Sequence, residues 1–278
     1  MRIRSNPHTH TSFSDGKCAP EEVVRRAIGL GFRSIGISDH SVQPFDAFFT
    51  IPAEREAEYQ NTIRALADAH RDAIRVYLSV EFDAFGGVAD RSEYDYLLMS
   101  AHYVERDGEY SLVDSPPNRE KLFRFRDEAF SGDGVKLAVR FYEMLSEAVL
   151  RVRPDIMGHF DTIKRFNRFG ALYDEASPKL HRARLDALEC VCESGALLEI
   201  NTGGLARGYI DEPYPSRALW RRFRELGGRA ILGSDSHHPD TLNFGFDTMR
   251  DYMIEEGFSS VVELGGANEP LFVERALR

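Results

Sequence analysis

Pro20-Glu21-Glu22-Val23-Val24-Arg25-Arg26-Ala27-Ile28-Gly29-Leu30-Gly31-Phe32-Arg33-Ser34-Ile35-Gly36-Ile37-Ser38-Asp39-His40 reads as one complete structural unit. A proline and two acids open a helix over Pro20 to Gly29, where a missing N–H costs nothing and the helix dipole favours negative charge. Gly31 stops it. A short apolar run from Ser34 to Ser38 then reads as a strand, and polar Asp39 and His40 follow directly.

The same unit recurs in both directions. Further strands are expected at Ile3 to Asn6, Arg75 to Val80, Tyr96 to Ala101, Ile156 to Gly158, Leu197 to Asn201 and Arg229 to Gly233. Helices are expected at Ala53 to Arg71, Val135 to Val152, Ser177 to Ser194, Ser216 to Leu226 and Thr241 to Glu256, with Gly195, Gly227 and Gly257 as stops. Strands that alternate with helices argue for an α/β protein with a parallel sheet, and about seven units suit a barrel better than a doubly wound open sheet. No linker, repeat or low-complexity tract interrupts residues 1–278, so a single domain is expected. One stretch breaks the rhythm: Tyr103 to Val113 reads as a hairpin turning at Asp107-Gly108, inside a lid-like insertion near 103–134.

Composition removes several function classes. Hydrophobic residues are 42% and charged residues 29%, which excludes disorder. No apolar run approaches the roughly 18 residues a membrane helix needs, so a cytoplasmic protein without a membrane partner is expected. Acidic residues exceed basic ones by 45 to 35, which argues against a nucleic-acid-binding face. The cysteines Cys18, Cys190 and Cys192 are too few for a disulfide framework, and Cys190 and Cys192 read as packing residues.

The histidines are informative by position. His8, His10, His40, His102, His159, His237 and His238 lie at or just beyond strand C-termini, with only His70 and His181 in helices. Asp15, Glu81 and Asp235 share the strand-end location. In a barrel of parallel strands all these ends open onto one face, and residues two apart, such as His8 with His10, project to the same side. His8, His10, Asp15, His40, Glu81, His102, His159, Asp235 and His237 make nine ligand candidates. A catalytic zinc takes about three protein ligands, so two or three clustered ions are expected. Mixed imidazole and carboxylate ligation suits zinc, manganese or iron. Three divalent ions bring six positive charges, and three carboxylates with one hydroxide remove four. The remaining charge of about two matches a phosphate monoester dianion.

His8-Thr9-His10 with Asp15-Gly16, Ser38-Asp39-His40, Glu81, Ser100-Ala101-His102, Gly158-His159 and Gly233-Ser234-Asp235-Ser236-His237 together resemble the polymerase and histidinol phosphatase (PHP) superfamily. The ordered match runs from residue 8 to residue 239. The resemblance implies a distorted seven-stranded (β/α) TIM-like barrel and a trinuclear metal centre. Within the superfamily the chain is most similar to histidinol-phosphate phosphatases, through Tyr59, Glu81-Phe82-Asp83, Asp114-Ser115-Pro116, Lys164-Arg165-Phe166 and Asn201-Thr202-Gly203-Gly204-Leu205. Ser79 departs from the glycine common two residues before the glutamate. Residue by residue, the resemblance implies His8, His10, Glu81 and Asp235 on one ion. Glu81 then bridges to a second ion completed by His102 and His159, and Asp15, His40 and His237 hold the third.

The expected reaction is hydrolysis of L-histidinol phosphate to L-histidinol and phosphate, by in-line attack of a metal-bridging hydroxide. That makes the chain a phosphoric monoester hydrolase of histidine biosynthesis with a small-molecule substrate. Arg165 and Arg207, in loops on the catalytic face, are the expected phosphate ligands because a guanidinium binds phosphate through two parallel hydrogen bonds. Lys164 is the weaker choice. His238 would protonate the leaving oxygen or sit on the rim. Asp39, Asp83 and Asp161 would orient ligand histidines or meet a cationic leaving group. The competing readings are a PHP phosphoesterase acting on nucleotides or other esters, an amidohydrolase, and a non-catalytic metal-binding protein. The sequence leaves the oligomeric state open.

Overall fold

The computed structural model describes residues 1–43, 45, 48–86 and 90–278. Its strands are β1 (Ser5–Asn6), β2 (Ser34–Ile37), β3 (Arg75–Asp83), β4 (Tyr96–Ser100), β5 (Tyr103–Arg106), β6 (Glu109–Leu112), β7 (Ile156–Met157), β8 (Leu197–Asn201), β9 (Ala230–Gly233), β10 (Ser260–Leu264) and β11 (Phe272–Ala276). Nine form one sheet in the order β1-β2-β3-β4-β7-β8-β9-β10-β11, parallel throughout except for the antiparallel last pair. The seven expected strands are all present. β10 and β11 are additions, because the run at 260–264 is short and carries Glu263 inside it.

The sheet curls into a distorted barrel. At the rim where the strands end, Thr9 bridges Ser236 in parallel, with His10 N donating to Ser236 O at 2.9 Å. At the opposite end β10 fills the gap, where Ser34 Oγ donates to Leu264 O and Leu264 N to Ser5 Oγ. Alternation along each strand divides the interior into two storeys. Tyr77, Tyr96, Leu98, Ile156, Leu197 and Ile231 form an apolar floor. One step further along the same faces come Ser79 and Glu81, Ser100, Gly158, Glu199 and Gly233, which leave a small polar chamber above it.

The helices are α1 (Pro20–Gly29), α2 (Glu56–His70), α3 (Arg119–Ala129), α4 (Gly134–Val152), α5 (Pro178–Ser194), α6 (Gly203–Ala206), α7 (Arg217–Glu225) and α8 (Phe246–Glu255). Their apolar faces cover the outside of the barrel; α4 and α5 bury Phe141, Leu145, Leu188 and Val191. Each such side chain contributes about 1.5–3 kcal/mol by leaving water. The glycine stops sit at positive φ as the helix ends require, with Gly195 at 84°. Two expectations need correction. The helix expected from Thr241 begins only at Phe246, because a 3₁₀ turn at Pro239–Thr241 and Gly245 at φ 71° break the run. The segment after the β5–β6 hairpin is a helix, α3, where a long loop was expected. Cys18, Cys190 and Cys192 are free thiols. Among the described residues no helix is long and apolar enough to cross a membrane.

Candidate metal centre

All nine expected ligands converge on the strand-end face, and Glu81 at the end of β3 is their hub. Its Oε1 lies 2.8 Å from His159 Nε2 and 3.3 Å from His102 Nε2. Its Oε2 lies 3.2 Å from His8 Nε2, 3.3 Å from His10 Nε2 and 3.0 Å from His40 Nδ1. Asp235 Oδ1 approaches His10 Nε2 at 3.3 Å, and Asp15 Oδ2 approaches His237 Nε2 at 3.1 Å. Four overlapping donor groups result: His8 with Glu81 and His159; His8 with His10 and Asp235; His40 with Glu81 and His102; and His10 with Asp15, His40 and His237.

The donor set fits divalent ions. His8 Nε2 and His10 Nε2 stand 3.1 Å apart, about the edge of a tetrahedron whose centre lies 2.0–2.1 Å from each nitrogen. His10 Nδ1, Asp15 Oδ1, Glu81 Oε2 and His159 Nδ1 are buried without a hydrogen-bond partner, a costly state for polar atoms unless something else satisfies them. Imidazole and carboxylate donors together select transition metals over calcium.

The electrostatics follow from packing three carboxylates among imidazoles. Burial would raise the Glu81 carboxyl, but His8, His40 and His102 hold it well below its usual range. Burial would likewise raise Asp235, but Arg207 and His8 hold it low. Burial presses on His10 as well; the Asp235 and Glu81 carboxylates, each 3.3 Å from its Nε2, overcome it and lift the imidazole to about 9. His40 goes the other way, because burial and the neighbouring His10 and His102 outweigh Glu81 and Asp15.

A second layer fixes this geometry. Glu199, on β8, accepts from His8 Nδ1 at 2.7 Å with one oxygen. Its other oxygen accepts from His159 N and Asn201 Nδ2, both at 2.9 Å. A proton held on Nδ1 leaves the His8 Nε2 lone pair facing inward. Sequence reasoning missed Glu199, although a lone acid inside Leu197-Leu198-Glu199-Ile200-Asn201 was a legible signal. Asp83 treats His102 the same way, accepting from its backbone N at 2.7 Å with Nδ1 at 3.2 Å. Asp39 orients no ligand histidine. It accepts from Thr11 N, Thr11 Oγ1 and Ser14 N, and so shapes the loop that carries Asp15. Asp161 does not turn toward His159; it accepts from Ser216 N and Oγ and pairs with Lys164 Nζ.

The cationic residues divide similarly. Arg207 is committed, donating to Asp235 Oδ2 at 2.7 Å and Asp235 O at 2.9 Å, with His237 Nδ1 at 3.0 Å. This clamp holds Asp235 at φ 47°, a left-handed conformation costing about 1–3 kcal/mol. Arg165 stacks on Tyr209 with its guanidinium 3.6 Å from the ring centre, and its Nε is buried without a partner. His238 lies outside the centre, half-exposed beside Asp240 and capping the 3₁₀ turn after β9. Lys164 is held by Glu212, Pro213 O and Ser216. Above the centre opens a cavity of about 600 Å³, bordered by Lys17, Arg165, Arg207, Leu112 and residues 114–117.

A buried barrel-end cluster of this composition, with strand order and motifs to match, defines a metal-dependent PHP-type centre. Residues 6–203 match the model of the PHP domain, and the chain belongs to that family. Among its relatives is a Deinococcus radiodurans protein named "Probable histidinol-phosphatase", 28% identical over 249 residues that cover 86% of this chain and 88% of the relative. Two solved structures share the fold at 20% identity. A Listeria monocytogenes protein matches with TM-score 0.70 over 88% of this chain and 99% of its own. The histidinol phosphate phosphatase of Lactococcus lactis, solved with zinc, L-histidinol and phosphate, matches with TM-score 0.66 over 94% of this chain and 96% of its own.

Proposed function

We propose that this chain is a phosphate monoester hydrolase acting on L-histidinol phosphate, with His8, His10, Asp15, His40, Glu81, His102, His159, Asp235 and His237 as ligands of two or three zinc, manganese or iron ions. The observation that carries the reading is Glu81, whose two oxygens face two different sets of imidazoles inside one cavity. Ions held there would neutralise phosphoryl charge and supply a nucleophile at neutral pH. The chain's own residues do the rest. Arg165, with an unpartnered Nε beside the centre, is positioned to take phosphate oxygens. Arg207 holds Asp235 and His237 in place and borders the same cavity as Arg165. Glu199 and Asp83 keep the inward nitrogens of His8 and His102 free of protons. The names of the relatives support the choice of ester.

The test is elemental analysis of protein purified without added metal, followed by phosphate release from L-histidinol phosphate, nucleotides, phosphotyrosine and p-nitrophenyl phosphate. A preference for histidinol phosphate of several orders in kcat/KM, abolished by chelation, is expected. Weak and equal rates on all esters would sink the substrate assignment. Metal-loaded protein that releases no phosphate from any of them would sink the hydrolase itself.

A further inference from the structure

A second groove, of about 430 Å³, adjoins the metal-site cavity and shares with it only Arg165 and Tyr209. Phe169 borders this groove and is 95% exposed, more than any other large apolar side chain among the described residues. Its backbone lies at φ 58°, ψ 28°, inside the short 3₁₀ turn Arg168–Gly170. That is the left-handed region, which a bulky side chain rarely occupies. The chain therefore bears two costs at one residue, backbone strain and an unburied aromatic ring. Among the described residues the ring meets only the Arg168 guanidinium, 5.4 Å from its centre.

Burial against another molecule would offset both costs, and the charges of the groove say which molecule. Lys164, Arg165 and Arg168 are matched by Glu175, Asp211 and Glu212, so the groove is neutral on a chain of net charge -10. Lys164 Nζ lies 3.1 Å from Glu212 Oε1. The more exposed pair, Arg168 with Asp211, stands 3.5 Å apart. A nucleic acid or an acidic peptide meets no excess of cations here, whereas two copies of this chain, which repel elsewhere, can approach without that penalty. A two-fold contact also needs a self-complementary surface, in which residue i meets j and j meets i. A protruding ring beside a groove, and a cation beside an anion, are both of that kind. We propose that this groove is the two-fold interface of a homodimer. Phe169 of each copy seats against Tyr209 and Ile210 of the other, and Arg168 and Asp211 exchange partners across the axis. The interface goes beyond the phosphatase reading and does not depend on which ester is hydrolysed. Pairing covers Tyr209, the ring on which Arg165 stacks, and so backs the wall shared with the metal-site cavity.

Sedimentation velocity of the metal-loaded full chain, from about 1 to 100 μM, reads the assembly directly. A contact centred on one groove belongs with the small interfaces, below about 1,200 Å². A species of twice the 31.5 kDa chain mass, with a micromolar dissociation constant, is therefore expected. Phe169→Asp should weaken it at least about 30-fold, the effect of losing a central aromatic anchor, with bound metal unchanged. Phe169→Gly removes the ring and the strain together. It should also give monomers, but with a higher melting temperature than Phe169→Asp, which separates loss of contact from loss of fold. Asp211→Arg sets like charges together and dissociates the dimer, and Arg168→Asp combined with Asp211→Arg restores it. A tetramer that Phe169→Asp halves retains this interface as one of two. A wild-type chain still monomeric at about 100 μM overturns the proposal. So does a dimer that Phe169→Asp and Phe169→Gly leave intact, because its interface lies elsewhere. Failure of the double charge reversal to re-form the dimer overturns the two-fold arrangement.

Discussion

Glu199→Gln changes one atom of the carboxylate at almost constant volume, and its effect on metal binding can be worked out from three hydrogen bonds. The native carboxylate accepts on both sides: His8 Nδ1 at one oxygen, His159 N and Asn201 Nδ2 at the other. A glutamine has one acceptor and one donor end. With its oxygen toward His8, its NH₂ confronts two donors. With its oxygen toward His159 N and Asn201, its NH₂ faces His8 Nδ1 and drives the imidazole proton onto Nε2, the atom proposed to bind metal. Either choice is penalised, and no rotation escapes because Glu199 is fully buried and a Cβ on Gly233 would already collide with it. Losing such an orienting partner costs about 10–100-fold in metal affinity, or roughly 1.4–2.8 kcal/mol. Zinc titration against a competing chelator should read this loss at one ion of the set, with kcat/KM falling in parallel at limiting metal. Glu199→Ala should also lower the melting temperature of metal-free protein, because three buried donors are orphaned at about 1–3 kcal/mol each. If Glu199→Gln binds the same number of ions with affinities within about threefold of wild type, the orienting role is refuted.

Metal-free and metal-loaded protein should respond to pH with opposite sign. Against the pull of burial, Asp235 and Glu81 raise His10 to about 9; the stability gained is full below about 6.5 and is lost as pH rises through about 9, up to roughly 3 kcal/mol in denaturant titrations of chelated protein. The metal-loaded protein should gain over the same range, because ions need unprotonated imidazoles, and calorimetry in buffers of different ionisation enthalpy should detect protons released on binding. Asp39→Ala frees the loop carrying Asp15 and should cost one bound ion in elemental analysis; full occupancy would contradict the role given to Asp39. Arg207→Lys cannot span Asp235 Oδ2 and Asp235 O at once, so kcat/KM should drop by about 10²-fold, and an unchanged rate would show that the clamp is dispensable.

Much of this was legible in the sequence because the informative signals are local. Pro20-Glu21-Glu22 and Gly31 delimit a helix through capping and the dipole, and Ser34 to Ser38 declares a strand through its apolar run. Histidines and acids placed after successive strands must share a face once those strands run parallel, so the convergence of the nine candidate positions needed no tertiary information. β10 and β11 were different: a short run broken by Glu263 is recognisable as a strand only beside β9 and Leu264's partners Ser5 and Ser34. Arg207 and Arg165 look alike in sequence, each a loop arginine on the catalytic side. Only the fold commits one to Asp235 and leaves the other's Nε unpaired. The same holds for the carboxylates. Asp39, Asp83, Asp161 and Glu199 are chemically equivalent as letters, and what separates them is which donors lie within 3 Å, a property set by strands and loops far apart in the chain. Residue type and periodicity determine which elements form and which ends carry chemistry; the partner of each polar atom is decided by long-range packing, where a hydrogen bond lost or gained is worth as much as the full spread of one residue's helix propensity.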